Sequence, residues 1–115
     1  MRDIIKDIKN LIELSNGEIL DLNKERLYTS KDISKMLPEL SIYNYDSAKK
    51  INERLEKLGL IYKHRTGVWD ITKKYDKDID KIVRFESGHI KWTLNGVNLV
   101  LNLIIQNSSE QVSFF

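Results

Sequence analysis

Apolar residues between positions 46 and 58 recur at steps of three and four, the spacing that places side chains along one face of an α-helix. The side chain of Asp46 or Ser47 can cap the first turn, because its oxygen accepts a hydrogen bond from a free backbone amide. Gly59 follows where helices commonly end in a left-handed residue. We therefore predict a helix over 46–58. Its apolar face consists of Ala48, Ile51, Leu55 and Leu58.

The opposite face of this helix is polar and mostly charged. A short helix with an apolar stripe behind it and lysine, arginine and amide side chains in front is suited to the major groove of DNA. An ordinary solvent-facing helix has the same pattern, so this face alone leaves both interpretations open. Its residues are Lys49, Lys50, Asn52, Glu53, Arg54, Glu56 and Lys57.

Two further helices are predicted before this one. Residues 2–16 have an apolar face at helical spacing, and Asn16-Gly17 would end that helix. We expect residues 1–26 to form an N-terminal amphipathic helix and a connector. The stretch 29–32, Thr-Ser-Lys-Asp, has the spacing of a capping box for a short second helix, which Pro38 would end.

β-favouring residues at 60–64 and 68–72 flank a turn that contains Gly67, which is typical of a β-hairpin. After the two helices, this hairpin completes the order of a winged helix-turn-helix. The expected fold class is α+β: a winged helix-turn-helix with an N-terminal helix, two β-hairpins and an apolar C-terminal helix. Helix 46–58 would then read duplex DNA, and the hairpin 60–72, the wing, would meet phosphates or a minor groove.

The segment after the wing predicts a charged loop and the second hairpin. Residues 73–81 are rich in charge and are expected to form a solvent-exposed loop. Strand-favouring residues at 82–85 and 89–92 lie on either side of Ser87-Gly88, a turn sequence. We expect the winged-helix domain to span residues 27–106.

Thr93 can cap a last helix over 94–106, in which the polar residues form one narrow stripe. Apolar side chains cover the rest of its circumference, so this helix requires burial on more than one side. We infer that one side packs on its own domain and the other on a second copy or a partner; a central core helix in a monomer is the alternative. Residues 107–115 are expected to be a flexible tail. The candidate interface residues are Leu99, Leu103 and Ile104.

The chain of 115 residues is long enough for one domain with its own core, and its net charge of +2 does not by itself predict strong attraction to nucleic acid. The charge is uneven, because residues 43–66 carry six basic and three acidic side chains. The chain has no cysteine, which excludes a disulfide framework, and no apolar run approaches the roughly 20 residues of a membrane span. We expect a cytoplasmic protein.

No motif for catalysis, cofactor binding or metal binding stands out. The sequence contains no nucleophile elbow, no P-loop and no paired-histidine zinc motif, and neither His64 nor His89 has a second ligand at metal-binding spacing. The stretch from Asp76 begins like a calcium loop, but its sixth position is Lys81 where glycine is required. We therefore expect no enzymatic activity, no cofactor and no bound metal.

A winged-helix protein contacts DNA through the N-terminal half of its second helix and through the wing. Small polar and amine side chains suit base edges, whereas lysine and arginine neutralise phosphates. Tyr43 and Tyr45 can stack on bases or sugars, or belong to the core, and Trp69 and Trp92 are expected in the core. The candidates are Asn44, Ser47 and Lys50 for base edges, Lys49, Arg54, Lys63 and Arg65 for phosphates, and Tyr45 and His64 for further DNA contacts.

Several motifs occur in a recognisable order between Tyr28 and Ile105. They are Thr29 with Ile33, Asn52 with Leu55, Gly59-Leu60-Ile61-Tyr62, Trp69, Lys74-Tyr75, and Lys91-Trp92-Thr93-Leu94-Asn95-Gly96. In these motifs the chain resembles the C-terminal domain of phage antirepressors, the KilAC type. The resemblance implies a winged-helix fold and a DNA-binding regulator encoded by a phage or mobile element. The chain departs from the family in having no glycine in 77–81.

Two functions are consistent with these patterns. The first is an antirepressor-like transcriptional regulator that binds double-stranded DNA as a homodimer, with one helix 46–58 per half-site. The second is a protein-binding inhibitor that uses the same scaffold against a repressor or a host defence nucleoprotein. Its basis is the weak net charge, the acidic residues of the helix and the apolar last helix. The helix order and the local positive charge favour the first.

Overall fold

The computed structural model describes residues 11–13, 19–21 and 26–112, with side chains described in 26–38 and 40–107. Within these residues the chain contains four α-helices, two 3₁₀ helices and six short strands that pair into three separate antiparallel two-stranded sheets. The α+β class expected from the sequence is confirmed. No helix in these ranges is both long and apolar enough to cross a membrane.

The elements alternate between helices and strand pairs along the chain. The strands are β1 (Leu11–Glu13), β2 (Ile19–Asp21), β3 (Ile61–Lys63), β4 (Trp69–Ile71), β5 (Val83–Glu86) and β6 (His89–Trp92). The α-helices are α1 (Ser30–Met36), α2 (Ala48–Lys57), α3 (Ile79–Ile82) and α4 (Leu94–Val112), and the 3₁₀ helices are Leu37–Leu40 and Lys73–Asp78.

The N-terminal helix predicted over 2–16 is wrong at Leu11–Glu13, which forms β1 and pairs antiparallel with β2, Ile12 lying opposite Leu20. Apolar and β-branched residues suit a strand as well as a helix. A pairing strand elsewhere in the chain can therefore override the helical spacing of a few apolar residues. Asn16-Gly17, interpreted above as a helix stop, is also the strongest short hairpin signal. The rest of the predicted helix lies outside the described residues.

The capping box predicted from the sequence starts α1. Thr29 Oγ1 accepts a hydrogen bond of 3.1 Å from the Asp32 amide, and Asp32 Oδ2 accepts one of 2.9 Å from the Thr29 amide. Two free amides of the first turn are thereby satisfied. The α-helix ends at Met36, ahead of Pro38 as predicted, and the chain continues in a 3₁₀ turn.

Ser47 is the N-cap of α2, and its Oγ accepts a hydrogen bond of 3.2 Å from the Lys50 amide. The helix stops before Gly59, whose φ of +80° costs little because glycine has no Cβ. Ile51 and Leu55 are fully buried. The central helix and its apolar stripe are therefore confirmed, with slightly shorter ends.

Both predicted hairpins are present. In the first, Lys63 lies opposite Trp69, and in the second, Glu86 lies opposite His89. Both residues of Ser87-Gly88 have positive φ, 51° and 77°, which is the backbone of a type I′ turn that matches the twist of two paired strands. These registers decide which side chains share a face of each hairpin.

The stretch 73–81, expected to be a loop, is helical: it forms the 3₁₀ helix Lys73–Asp78 and most of α3. Tyr75 and Ile79 are partly buried against the core, and Ile82 is buried. Their steps of four and three place them on one side of a helix. The loop prediction is wrong because three apolar residues at this spacing are enough to anchor a segment that is otherwise charged and exposed.

α4 packs in the middle of the domain. Thr93 caps it as predicted, its Oγ1 accepting a hydrogen bond of 3.1 Å from the Gly96 amide. Val97 and Val100 are fully buried. Gly96 brings the helix so close to α3 that a Cβ at this position would lie 1.9 Å from the carbonyl oxygen of Ile82.

Two expectations about the last helix are corrected. α4 continues to Val112, so the predicted tail 107–115 is helical up to that residue, and the remaining residues lie outside the described ones. Leu99 and Ile104, predicted to meet a partner, are 6% and 0% exposed because they pack in the core of their own domain. Only Leu103 of the three predicted interface residues is partly exposed.

The second hairpin is tied to the chain that enters α1. Tyr28 and Trp92, both fully buried, form a β-bridge with backbone hydrogen bonds of 2.8 and 2.6 Å. The bridge places β6 beside the start of α1 and α2. The buried apolar side chains are Tyr28, Ile33, Met36, Leu37, Ile51, Leu55, Leu60, Ile61, Ile71, Ile82, Val83, Trp92, Val97, Leu99, Val100, Leu101 and Ile104.

Candidate nucleic-acid interface

An open groove of about 530 Å³ lies between α2 and the hairpin β3–β4. We call it the first groove. Side chains from both elements form its walls, so its shape depends on how α2 and the hairpin pack together. It is lined by Lys49, Asn52, Glu53, Glu56, Lys63 and Trp69.

The charges of the first groove balance, because its lining holds two lysines and two glutamates. Lys63 Nζ lies 5.0 Å from the centre of the Trp69 ring, within range of a cation–π interaction. Lys49 makes no ion pair with any residue in the described ranges. Within the described part of the chain, its ammonium group is therefore not neutralised by a carboxylate.

Trp69 was expected in the core, but it is only partly buried and lines the groove. Because side chains alternate between the two faces of a strand, the pair Lys63–Trp69 shares a face with the buried pair Ile61–Ile71. Lys63 and Trp69 thus lie at the boundary between the buried part of this face and its solvent-exposed part. Trp92 is fully buried, as predicted.

A second groove, of about 310 Å³, lies between the start of α1, α2 and the hairpin β5–β6. It shares Asn52 and Trp69 with the first groove, so the two grooves adjoin. Among the described residues that line it, the ionisable side chains are two lysines and a histidine, and none is a carboxylate. The second groove is lined by Thr29, Ser30, Lys31, Ala48, Asn52, Trp69, His89, Ile90 and Lys91.

A hydrogen-bond chain holds the wall between the two grooves in place. Trp92 Nε1 donates to Ser30 Oγ at 3.3 Å, and Ser30 Oγ donates to Asn52 Oδ1 at 2.7 Å. With Oδ1 occupied by Ser30, the Nδ2 group of Asn52 is left to donate hydrogen bonds toward the grooves that this residue lines.

Lys50 and Arg54 line neither groove, whereas Lys49 lines the first. Lys50 Nζ pairs with Asp46 Oδ1 at 2.9 Å, and this hydrogen bond and charge hold the pKa of Asp46 below its ordinary value. Arg54 is partly buried, and its Nε is enclosed with no hydrogen-bond partner among the described residues. Of the three cations predicted on α2 to contact DNA, Lys49 alone lines either of these two grooves.

His64 lies on the opposite face of the first hairpin from Lys63. Its Nε2 is 2.9 Å from Asp70 Oδ2 and 3.4 Å from the Tyr62 hydroxyl. Burial raises the pKa of Asp70. The hydrogen bonds from His64 and the Ile71 amide together lower this pKa by more than burial raises it, so the net pKa lies below its ordinary value. The predicted DNA contact by His64 thus competes with a bond to Asp70.

The turn before α2 is more open than its aromatic residues suggested. Tyr43 is 70% exposed and Asn44 is exposed, whereas Tyr45 packs partly against the core. Arg65, in the turn of the first hairpin, is also exposed. Asn44 and Arg65 are accessible to a ligand. Tyr45 packs against the core, so only the exposed part of its ring can stack on DNA.

Sequence analysis missed Lys31 and Lys91, which the tertiary structure brings to one groove. A count of charge along the segment 43–66 does not include either residue. Lys91 stands in the motif used for the family resemblance, but no pattern in the sequence indicates that it lies beside the start of α1. Among the residues in described positions, no cluster of three or more His, Asp or Glu has the arrangement of a metal site.

Comparison of this chain with protein-family models, with curated proteins and with solved structures finds no match.

Proposed function

We propose that this protein is an antirepressor-like transcriptional regulator that binds duplex DNA through α2 and the hairpin β3–β4, in the manner of a winged helix. The observation that carries the proposal is that Lys49 of α2 and Lys63 of the hairpin line one open groove. A helix and a hairpin that present cations to a common groove suit a helix in the major groove flanked by a wing.

In this arrangement the exposed side of α2 faces base edges. Ile51 and Leu55 hold the other side in the core, so the helix presents Lys49, Lys50 and Glu53 to solvent. Lysine donates hydrogen bonds to guanine, and a glutamate accepts one from the cytosine amino group. Glu53 therefore fits base readout, although it does not fit phosphate contact.

The main support for the alternative, a protein-binding inhibitor, is now weaker. That hypothesis used the apolar last helix as a partner surface, but Leu99 and Ile104 are buried in the domain's own core. Glu53 and Glu56 in the first groove still favour it, because they offset the two lysines there. DNA binding accounts for the exposed cations of both elements, so we retain it as the proposed function.

The experiment is a binding titration of the full chain with a fluorescein-labelled random-sequence duplex of about two helical turns. It is run between about 50 and 200 mM salt, with the mass in solution measured alongside. We expect an affinity that falls steeply with salt, and the mass decides whether the protein binds as the homodimer expected from the sequence. The variant Lys49→Gln/Lys63→Gln should lower the slope of log affinity against log salt by about two, because each phosphate contact contributes about 0.9.

The matched control is Lys77→Gln/Lys81→Gln, which removes the same charge from exposed residues outside both grooves. Its slope should stay close to that of the unaltered protein. If the unaltered protein does not bind duplex at about 50 mM salt, the proposed function is wrong and the protein-binding alternative takes its place. If the groove and control variants behave alike, the first groove is not the DNA site.

Ser47→Asp separates folding from binding at the start of α2. Aspartate is as good an N-cap as serine, so the unfolding free energy should hold or rise slightly. The added negative charge should weaken DNA binding, because this residue starts the helix proposed to enter the major groove. Unchanged affinity in this variant would place the DNA away from the start of α2.

A further inference from the structure

The second groove differs from the first in charge, although the two adjoin. In the first, Glu53 and Glu56 offset the lysines, whereas in the second the described lining residues include Lys31 and Lys91 and no carboxylate. Neither lysine makes an ion pair with a described residue, so both ammonium groups are unneutralised within that part of the chain.

We infer that the second groove is a phosphate-binding surface for the DNA backbone, and that the hairpin β5–β6 is therefore a second DNA-contacting element. The inference rests on the proposed function, and it adds the second groove to the phosphate contacts that Lys49 and Lys63 make in the first. The carboxylates of the first groove repel phosphate but can accept hydrogen bonds from bases. The lysines of the second attract phosphate by simple charge complementarity.

Continuity between the grooves supports a single ligand. Asn52 and Trp69 belong to both linings, so DNA that lies along α2 in the first groove passes directly over the second. The Nδ2 group of Asn52, which has no hydrogen-bond partner among the described residues, lies at this junction. A donor with its acceptor already occupied suits a phosphate oxygen, or a base acceptor such as guanine O6.

The surface is also held in place before any ligand arrives. Lys91 precedes the fully buried Trp92, whose backbone pairs with Tyr28 and whose Nε1 donates to Ser30. Lys31 follows Ser30 in the first turn of α1. The two lysines are thus attached to elements fastened to each other, so little ordering entropy is lost when a phosphate strand binds across them.

The test compares Lys31→Gln/Lys91→Gln with the unaltered protein, with Lys49→Gln/Lys63→Gln and with the control Lys77→Gln/Lys81→Gln. All are titrated with the same labelled random-sequence duplex over the same salt series. We expect the Lys31/Lys91 variant to bind on the order of tenfold more weakly at about 0.1 M salt, with a slope about two units smaller. Its thermal unfolding should match that of the control, since neither side chain has a partner in the described structure.

The outcomes distinguish failure of this inference from failure of the proposed function. Suppose that the unaltered protein binds duplex, and that binding weakens in the Lys49/Lys63 variant but not in the Lys31/Lys91 variant. This result overturns the inference and leaves the proposed function intact. Loss in the Lys31/Lys91 variant alone supports the inference and removes the first groove from the interface. No duplex binding by the unaltered protein overturns both. If poly-glutamate displaces the labelled duplex as effectively as unlabelled duplex does, the ligand is an acidic protein and the inference is also overturned.

Discussion

Ser30 Oγ donates a hydrogen bond of 2.7 Å to Oδ1 of Asn52 and so joins the first turn of α1 to the middle of α2. The same hydroxyl accepts from Nε1 of the buried Trp92. One side chain therefore connects both helices with the second hairpin. The position of α2 relative to both grooves depends on this connection.

We expect Asn52→Ala to cost about 1 kcal/mol of unfolding free energy, the typical net value of one hydrogen bond. Ser30→Ala should cost more, about 2 kcal/mol, because it also leaves the buried indole N–H of Trp92 without its acceptor. Urea denaturation of the two single variants and the double variant measures the coupling energy. Asn44→Ala, at an exposed position, is the control. Additive costs for Ser30 and Asn52 would show that the hydrogen bond contributes nothing to stability.

Gly96→Ala tests the close approach of α4 to α3. In an exposed helix, replacing glycine with alanine gains about 1 kcal/mol. Here the new Cβ would lie 1.9 Å from the Ile82 carbonyl oxygen, which is held by a hydrogen bond of 3.0 Å from the Thr93 amide. We therefore expect a loss of about 3 kcal/mol, the cost of overpacking a core that cannot relax.

The measurement for Gly96→Ala is the unfolding free energy by urea titration, with Asn95→Ala as the neighbouring control. Asn95 is exposed on the same turn of α4, so its replacement by the better helix former alanine should be neutral or slightly stabilising. A Gly96→Ala protein as stable as this control would mean that α3 and α4 are further apart than in the structure.

The pair formed by His64 and Asp70 predicts a loss of stability in acid. The folded-state pKa of Asp70 lies below its ordinary value of 3.8, so the ionised carboxylate stabilises the fold above about pH 4. That stability is lost as the pH falls through the lowered folded-state pKa. Because the pair is solvent-accessible, its contribution should be less than about 1 kcal/mol.

Urea denaturation of the unaltered protein and of Asp70→Asn, from pH 6 to the acid limit, measures this contribution. The difference in unfolding free energy should be present at pH 6 and should vanish in acid. In a His64→Phe background, which keeps an aromatic ring against Tyr62 but removes the imidazole nitrogen, the difference should shrink. A difference that persists unchanged in acid would show that the Asp70 carboxylate does not act through its charge.

Local signals in the sequence predicted most of the helix and hairpin boundaries correctly. The capping box at Thr29, the N-cap at Ser47 and the turn at Ser87-Gly88 are confirmed, because each depends on hydrogen bonds or dihedral angles within a few residues. The same reasoning erred at Leu11–Glu13, since whether an apolar stretch is a strand depends on a pairing segment elsewhere in the chain.

Local patterns were least informative about the candidate site. Lys49 and Lys50 are neighbours in the sequence, yet of the two only Lys49 lines the first or the second groove. Successive residues of a helix point about 100° apart, and the packing of Ile51 and Leu55 decides which of them faces the hairpin. Trp69 has the large apolar side chain expected of a core residue, but its position at the edge of the first hairpin leaves it partly exposed.

The sequence by itself thus determined the α+β class, the order of α1, α2 and the two later hairpins, and the apolar stripe of α2. These depend on periodicity, capping and turn chemistry, all of which act over a few residues. Only the tertiary structure decided that α4 buries Leu99 and Ile104 in its own domain and that Lys31 and Lys91 share a groove whose described lining has no carboxylate. Burial and surface charge depend on which distant segments pack together, and the Tyr28–Trp92 bridge that brings them together has no local signal.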